Sequence, residues 1–147
     1  MRPLPKKRRI SQIRLDTGGG HGSSSTMIRR FANITSQRGI DITYVDSSTL
    51  GCVITINATG VYAINYVDLA STTINFGLSL NSTELTTAIT GITIASRLAT
   101  SLNVSGQRGH VGYTGFFQAG DIIRPHTDAG GTPSTGATVC FSIVRVA

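Results

Sequence analysis

Val61-Tyr62-Ala63-Ile64-Asn65-Tyr66-Val67 places Tyr62, Ile64 and Tyr66 on one side of an extended chain, and Val61, Ala63 and Val67, beside Asn65, on the other. Near the C-terminus Val139, Phe141 and Ile143 alternate with Cys140, Val144 and Val146 in the same way. A strand that is apolar on both faces needs a cover on both faces. In a single small sandwich, the second cover comes most simply from another subunit. Both segments are therefore expected in a sheet that faces an oligomer axis.

The rest of the chain extends this reading. Ile54 and Ile56 alternate with Val53, Thr55 and Asn57, and Ile74, Phe76, Leu78 and Leu80 alternate with Asn75, Gly77, Ser79 and Asn81. Period two with one wet face is the mark of a strand over a core. Asn57-Ala-Thr-Gly60, Asn81-Ser-Thr83 and Ala119-Gly120-Asp121 punctuate the runs at intervals suited to a sandwich. Leu85 to Leu102 is open to a strand or an irregular reading. Charged residues are 14% and aromatics 6% of the 147 residues, while Gly, Ser and Thr abound, which suits short strands and tight turns more than helices. The expected fold is all-β, a two-sheet jelly-roll sandwich of about ten strands.

Charge divides the chain. Residues 1–30 hold eight basic side chains and one acid, a balance of +7, and residues 31–147 hold five basic and six acidic ones, a balance of −1. Residues 1–15 combine Pro3 and Pro5 with Lys6-Lys-Arg-Arg9, and Asp16 to Thr26 is a Gly/Ser-rich run. These features predict an extended basic arm and linker over residues 1–27 and a jelly roll over residues 28–147. The basic block admits a nuclear localisation signal, a nucleic-acid tether or an arm that docks on an acidic protein surface, and Lys6, Lys7, Arg8, Arg9 and Arg14 are the residues that the last reading uses. Positive charge confined to a tail, with a near-neutral body, argues against nucleic acid as the partner. Removing residues 1–15 is expected to leave the jelly roll folded and to abolish attachment.

No constellation for catalysis stands out, so the chain reads as a structural or binding protein and not an enzyme. There is no Gly-x-Ser-x-Gly elbow, and the few acids are scattered. The Gly-rich run lacks the Lys-Ser/Thr of a phosphate loop. His126-Thr-Asp128 places an imidazole and a carboxylate on one side of a strand, but no third or fourth metal ligand accompanies them, and no metal or cofactor is expected. Cys52 and Cys140 sit in apolar runs and read as buried free thiols. Tyr62, Tyr66, Tyr113, Phe116 and Phe117 admit a carbohydrate- or base-stacking reading, although their apolar neighbours favour core and interface packing. No apolar run is long enough to span a bilayer and no secretory signal is visible, so no membrane role is expected.

Gly60-Val-Tyr-Ala-Ile-Asn-Tyr66, followed by Phe76-Gly-Leu-Ser-Leu-Asn81, resembles the central strands of the tumour necrosis factor and complement globular-head superfamily. Phe117-Gln-Ala-Gly-Asp-Ile-Ile123 resembles its F–G turn, and Val139-Cys-Phe-Ser-Ile143 its closing strand. Ile28-Arg-Arg-Phe31, Asp41-Ile-Thr-Tyr44 and Gly120-Asp-Ile-Ile-Arg-Pro-His126 look most like small tailed-phage virion proteins within that group. The resemblance implies a ten-strand jelly roll assembled as a homotrimer, with Tyr62, Tyr66 and Phe141 at the threefold axis. It further implies a capsid-cementing or decoration protein, bound to the major capsid protein or other virion proteins and assembled in the host cytoplasm. The runner-up is a head- or tail-fibre knob that binds a host-surface receptor, for which a carbohydrate would serve, and a third reading is a secreted ligand of the tumour necrosis factor type.

Overall fold

The computed structural model describes residue 2 and residues 10–103, 105–128 and 139–147. Ten strands are present among the described residues: β1 (Gln12–His21), β2 (Arg29–Arg38), β3 (Ile42–Ser47), β4 (Gly51–Ile56), β5 (Gly60–Leu69), β6 (Ile74–Leu80), β7 (Arg97–Asn103), β8 (Arg108–Phe117), β9 (Ile122–Thr127) and β10 (Cys140–Arg145). They form two five-stranded sheets in the orders β2-β1-β10-β5-β8 and β3-β4-β9-β6-β7. Every pairing is antiparallel, and from β4 to β10 the chain changes sheet at every connection except β6–β7. This is the expected jelly roll. The segment after β6 is irregular up to a short 3₁₀ turn, Ile94–Ser96, and β7 follows directly.

The alternation read from the sequence fills the space between the sheets. Ile13, Leu15, Tyr62, Ile64, Tyr66, Phe141 and Ile143 enter from the first sheet, and Ile54, Ile56, Phe76, Leu78 and Ile123 from the second. Tyr66 lies at the centre, its ring 5.2 Å from Phe76 across the sandwich and 6.0 Å from Phe141 beside it. Each such side chain withdrawn from water contributes about 1.5–3 kcal/mol. Gly51 opens β4 at φ 90°, where a side chain would meet Ile28. That close backbone approach lets the start of β4 pass beneath the chain entering β2.

The expected boundary at residue 28 is corrected. Gln12–His21, assigned above to the arm and linker, is a strand in the interior of the first sheet, between β2 and β10. Ile13 pairs with Ile143 and Leu15 with Phe141, and both side chains are fully buried. Period two was present in Gln12-Ile-Arg-Leu-Asp16, but the neighbouring basic and glycine runs outweighed so short a pattern. The glycines do not form a linker. They bulge the end of β1, where the register to β2 shifts between Gly18 and His21. Arg14 is an exposed residue of this strand and not part of an arm. Lys6, Lys7, Arg8 and Arg9 lie outside the described residues. Ser11, just before β1, is buried, accepts from Arg145 N at 2.9 Å through its carbonyl and receives Asp41 N at its hydroxyl.

The two possible truncations therefore separate. Deleting residues 1–9 should leave the thermal unfolding transition within about 2 °C of the full chain. Deleting residues 1–15 removes the first four residues of the interior strand β1, with its two buried aliphatic side chains, and should abolish cooperative unfolding in a circular dichroism melt. A normal melt for the second truncation would show that β1 is dispensable.

Candidate interaction surface

The side of the first sheet that faces away from the core is set by four rows of residues in register. Val61 lies opposite Phe116. Gln12, Val144, Ala63 and Thr114 form the next row, and Arg14, Ser142, Asn65 and Gly112 the third. Asp16, Cys140, Val67 and His110 form the fourth. The first two rows are largely apolar, and Val146, joined to Val61 through its backbone, extends them. Phe116 is 62% and Val146 45% exposed. A large aromatic left in water beside Val61, Val144 and Ala63 makes a contiguous apolar patch, whereas Ile40, Val45, Leu50, Ile94 and Leu102 are exposed on other segments.

Tyr62, Tyr66 and Phe141, the expected axis residues, are on the opposite side of these strands. All three are fully buried against the other sheet of the same chain. Tyr62 donates to Ala58 O at 2.5 Å and Tyr66 donates to the Asp68 carboxylate. Alternation had shown that both faces of β5 and β10 are apolar, but it does not say which face the chain covers itself. The larger, aromatic set fills the sandwich, and Val61, Ala63, Val67, Val144, Val146 and Phe116 are presented outward.

The polar rows of this face are partly organised. The His110 ring nitrogen Nε2 and Asn65 Oδ1 lie 3.1 Å apart and flank Gly112, where a Cβ would meet the His110 ring at 3.4 Å. Asp16 accepts from Thr35 at 2.8 Å, Asn33 at 3.3 Å and Thr17 at 3.1 Å, and these bonds, led by Thr35, hold its carboxyl below the usual range. Cys140 is a half-buried free thiol in this row, whereas the Cys52 thiol is fully buried, free and pushed upward by desolvation.

A second constellation, missed at the sequence level, lies inside one end of the sandwich. Arg29, with no exposed surface, donates from Nε and Nη2 to both oxygens of Asp68 at 2.8 Å. Its Nη1 reaches Gly20 O at 3.3 Å, and Leu69 N donates to Asp68 at 2.7 Å. The two residues are 39 apart in sequence, but each shares its strand face with core residues: Asp68 with Tyr66, and Arg29 with Phe31. A charge on the core face of a strand was the available signal. Nearby, the Nε2 of His21 lies 2.8 Å from the hydroxyl of Thr127, which itself donates to Met27 O. His126 is fully buried, with Nε2 at 2.7 Å from Thr87 O and Nδ1 at 3.1 Å from Ser79 Oγ. The carbonyl fixes Nε2–H, so Ser79 donates to Nδ1. Asp128 takes bonds from Asn75 N and Thr90 Oγ1, so it does not pair with His126. Among the described residues, no three His, Cys, Asp or Glu side chains gather as metal ligands.

No known family pattern and no curated protein matches this sequence. Solved structures do. Murine APRIL superposes with a TM-score of 0.69 at 14% identity, over 94% of this chain and all of that one. Eiger TNF from S. frugiperda gives 0.60 at 15% identity, over 95% and 94%. GITRL from bushbaby gives 0.58 at 19% identity, over 94% and 95%. At such identity the likeness shows the fold alone, a jelly roll like those of these three proteins.

Two desolvated histidines, His21 and His126, set an acid dependence. Desolvation, reinforced by Arg29, holds His21 down to about 4, and desolvation also lowers His126. Both groups bind fewer protons folded than unfolded, so their contribution is present above pH ~6.5 and is lost as pH falls toward about 4. The melting temperature should fall by roughly 5–10 °C across that window, and His21→Asn should flatten the profile. A wild-type melting temperature constant across the window would contradict the burial of neutral imidazoles.

Proposed function

We propose that this chain is a non-catalytic structural protein that assembles as a homotrimer through the outward face of its first sheet and decorates, or cements, a phage capsid. The observation that carries the reading is the apolar patch of Val61, Ala63, Val144, Val146 and Phe116 on strands whose other face already fills the core. Association through a patch of this kind removes from water what the single chain cannot cover. The superfamily resemblance implies threefold assembly, and the shared jelly-roll fold supports it. The capsid role is supported by the likeness to small tailed-phage virion proteins read in the sequence, and by the separation of charge: Lys6 to Arg9 form a basic block ahead of a near-neutral body. In this reading the body makes the trimer and the block engages acidic coat protein. No membrane, nucleic acid or cofactor enters the proposal.

Sedimentation of the purified protein should give three times the 15.5 kDa of one chain. Phe116→Glu places a charge in the patch without touching the core, and should yield a monomer that keeps its strand signature in circular dichroism. A wild-type monomer at micromolar concentration would defeat the assembly. Attachment is read separately, by binding to undecorated particles. Binding by the full chain should weaken as salt rises, and deletion of residues 1–9 should reduce it at least tenfold. Equal binding by the truncated trimer would favour the fibre-knob reading.

A further inference from the structure

We infer that the outer side of the second sheet holds a binding site for a tetrahedral oxyanion, a phosphate or sulfate group, between Arg97 and Arg124. The two arginines are neighbours across one row: Ser79 of β6 pairs with Arg97 of β7 on one side and with Arg124 of β9 on the other. Leu78 and Leu80, which flank Ser79, pack on the main core, so all three side chains of the row point away from it. This side of the sheet is nevertheless covered. The segment between β6 and β7 folds back over it and buries Ile89 and Ile92, tied down by Ile89 N to Thr127 O at 3.1 Å and by the His126 ring to Thr87 O. Ser79 is 1% exposed as a result.

Two guanidinium groups thus lie at the edge of a roof with no counter-ion. Arg97 donates through Nη2 to the carbonyls of Thr90 and Ile92 at 2.7 and 3.1 Å, and Arg124 through Nη1 to Ser82 O at 3.3 Å. Both Nε–H groups are buried without an acceptor. The sequence has seven acidic side chains, all among the described residues, and none forms an ion pair with either arginine. Asp41, Asp46 and Asp68 pair with other arginines. Asp16, Asp121 and Asp128 are held by hydroxyl, amide and backbone donors, and Glu84 accepts from Thr93 N at 2.8 Å. Ser79 spends its proton on His126. The row therefore offers two fixed positive charges with free donors and no proton to abstract, which suits binding and not chemistry. Burial without a counter-ion also lowers the affinity of Arg124 for its own proton, a cost that a bound anion offsets. Guanidinium forks match tetrahedral oxyanions.

The test is titration of the full-length protein with inorganic phosphate, with sulfate and with glycerol 3-phosphate, at ionic strength fixed by chloride, read by calorimetry and by melting temperature. Inorganic phosphate should bind and raise the melting temperature. Arg97→Gln and Arg124→Gln, made separately, should each weaken it about tenfold, the loss of a charged hydrogen bond. Replacing Lys6, Lys7, Arg8 and Arg9 together by Gln should leave it unchanged, which separates this site from the basic block. Glycerol 3-phosphate binding as tightly as phosphate would assign an organic monoester that protrudes from the roof, and its exclusion would assign the free anion. Absence of binding to the wild type at millimolar phosphate overturns the inference. So does undiminished binding in either folded arginine variant, or loss of binding with the Lys6–Arg9 replacement.

Discussion

The hydroxyl of Tyr66 donates to Asp68, and Asp68 in turn holds the guanidinium of Arg29. The ring of the same tyrosine meets Phe31, Phe76 and Phe141. One residue therefore ties the aromatic centre of the sandwich to its only fully buried ion pair among the described residues. A buried pair of this kind adds little over an apolar replacement of the same shape, but losing one partner strands a charge at a cost of about 3–5 kcal/mol. The pair thus enforces more than it stabilises. β2 must deliver Arg29 and β5 must deliver Asp68 to the same point, so a slip of either strand by one residue turns a charge outward and an outward-facing residue into the core.

Most of the fold was legible because period two is a local signal. Ile54 and Ile56, Tyr62 to Tyr66 and Ile74 to Leu80 each announce a strand without reference to the rest of the chain. What failed was everything that depends on which surface meets which. Tyr62, Tyr66 and Phe141 were correctly grouped on one face but assigned to a neighbouring subunit, since alternation carries no information about which face lies inside. β1 was hidden by composition: two buried aliphatic residues, Ile13 and Leu15, stand between a basic block and a glycine run. The Arg29–Asp68 pair and the Arg97–Ser79–Arg124 row are products of topology, joining residues that no window of sequence holds together.

The outward face of the first sheet pairs adhesion with selectivity. Its rows around Phe116 and Val144 are apolar and attract any apolar partner, whereas the row of Arg14, Ser142 and Asn65 is polar and must be matched by complementary groups once covered. A surface graded in this way tolerates a partner in one orientation and penalises it when rotated.

β1 lies between two partners along its length, with five residue pairs to β10 on one side and seven to β2 on the other. The chain enters it directly from residues 1–10. Tension applied through those residues runs along the strand and loads both ladders in shear, so many hydrogen bonds must yield together. A strand at the edge of a sheet, pulled crosswise, would open one bond at a time. Its interior position makes β1 a mechanically strong point of anchorage.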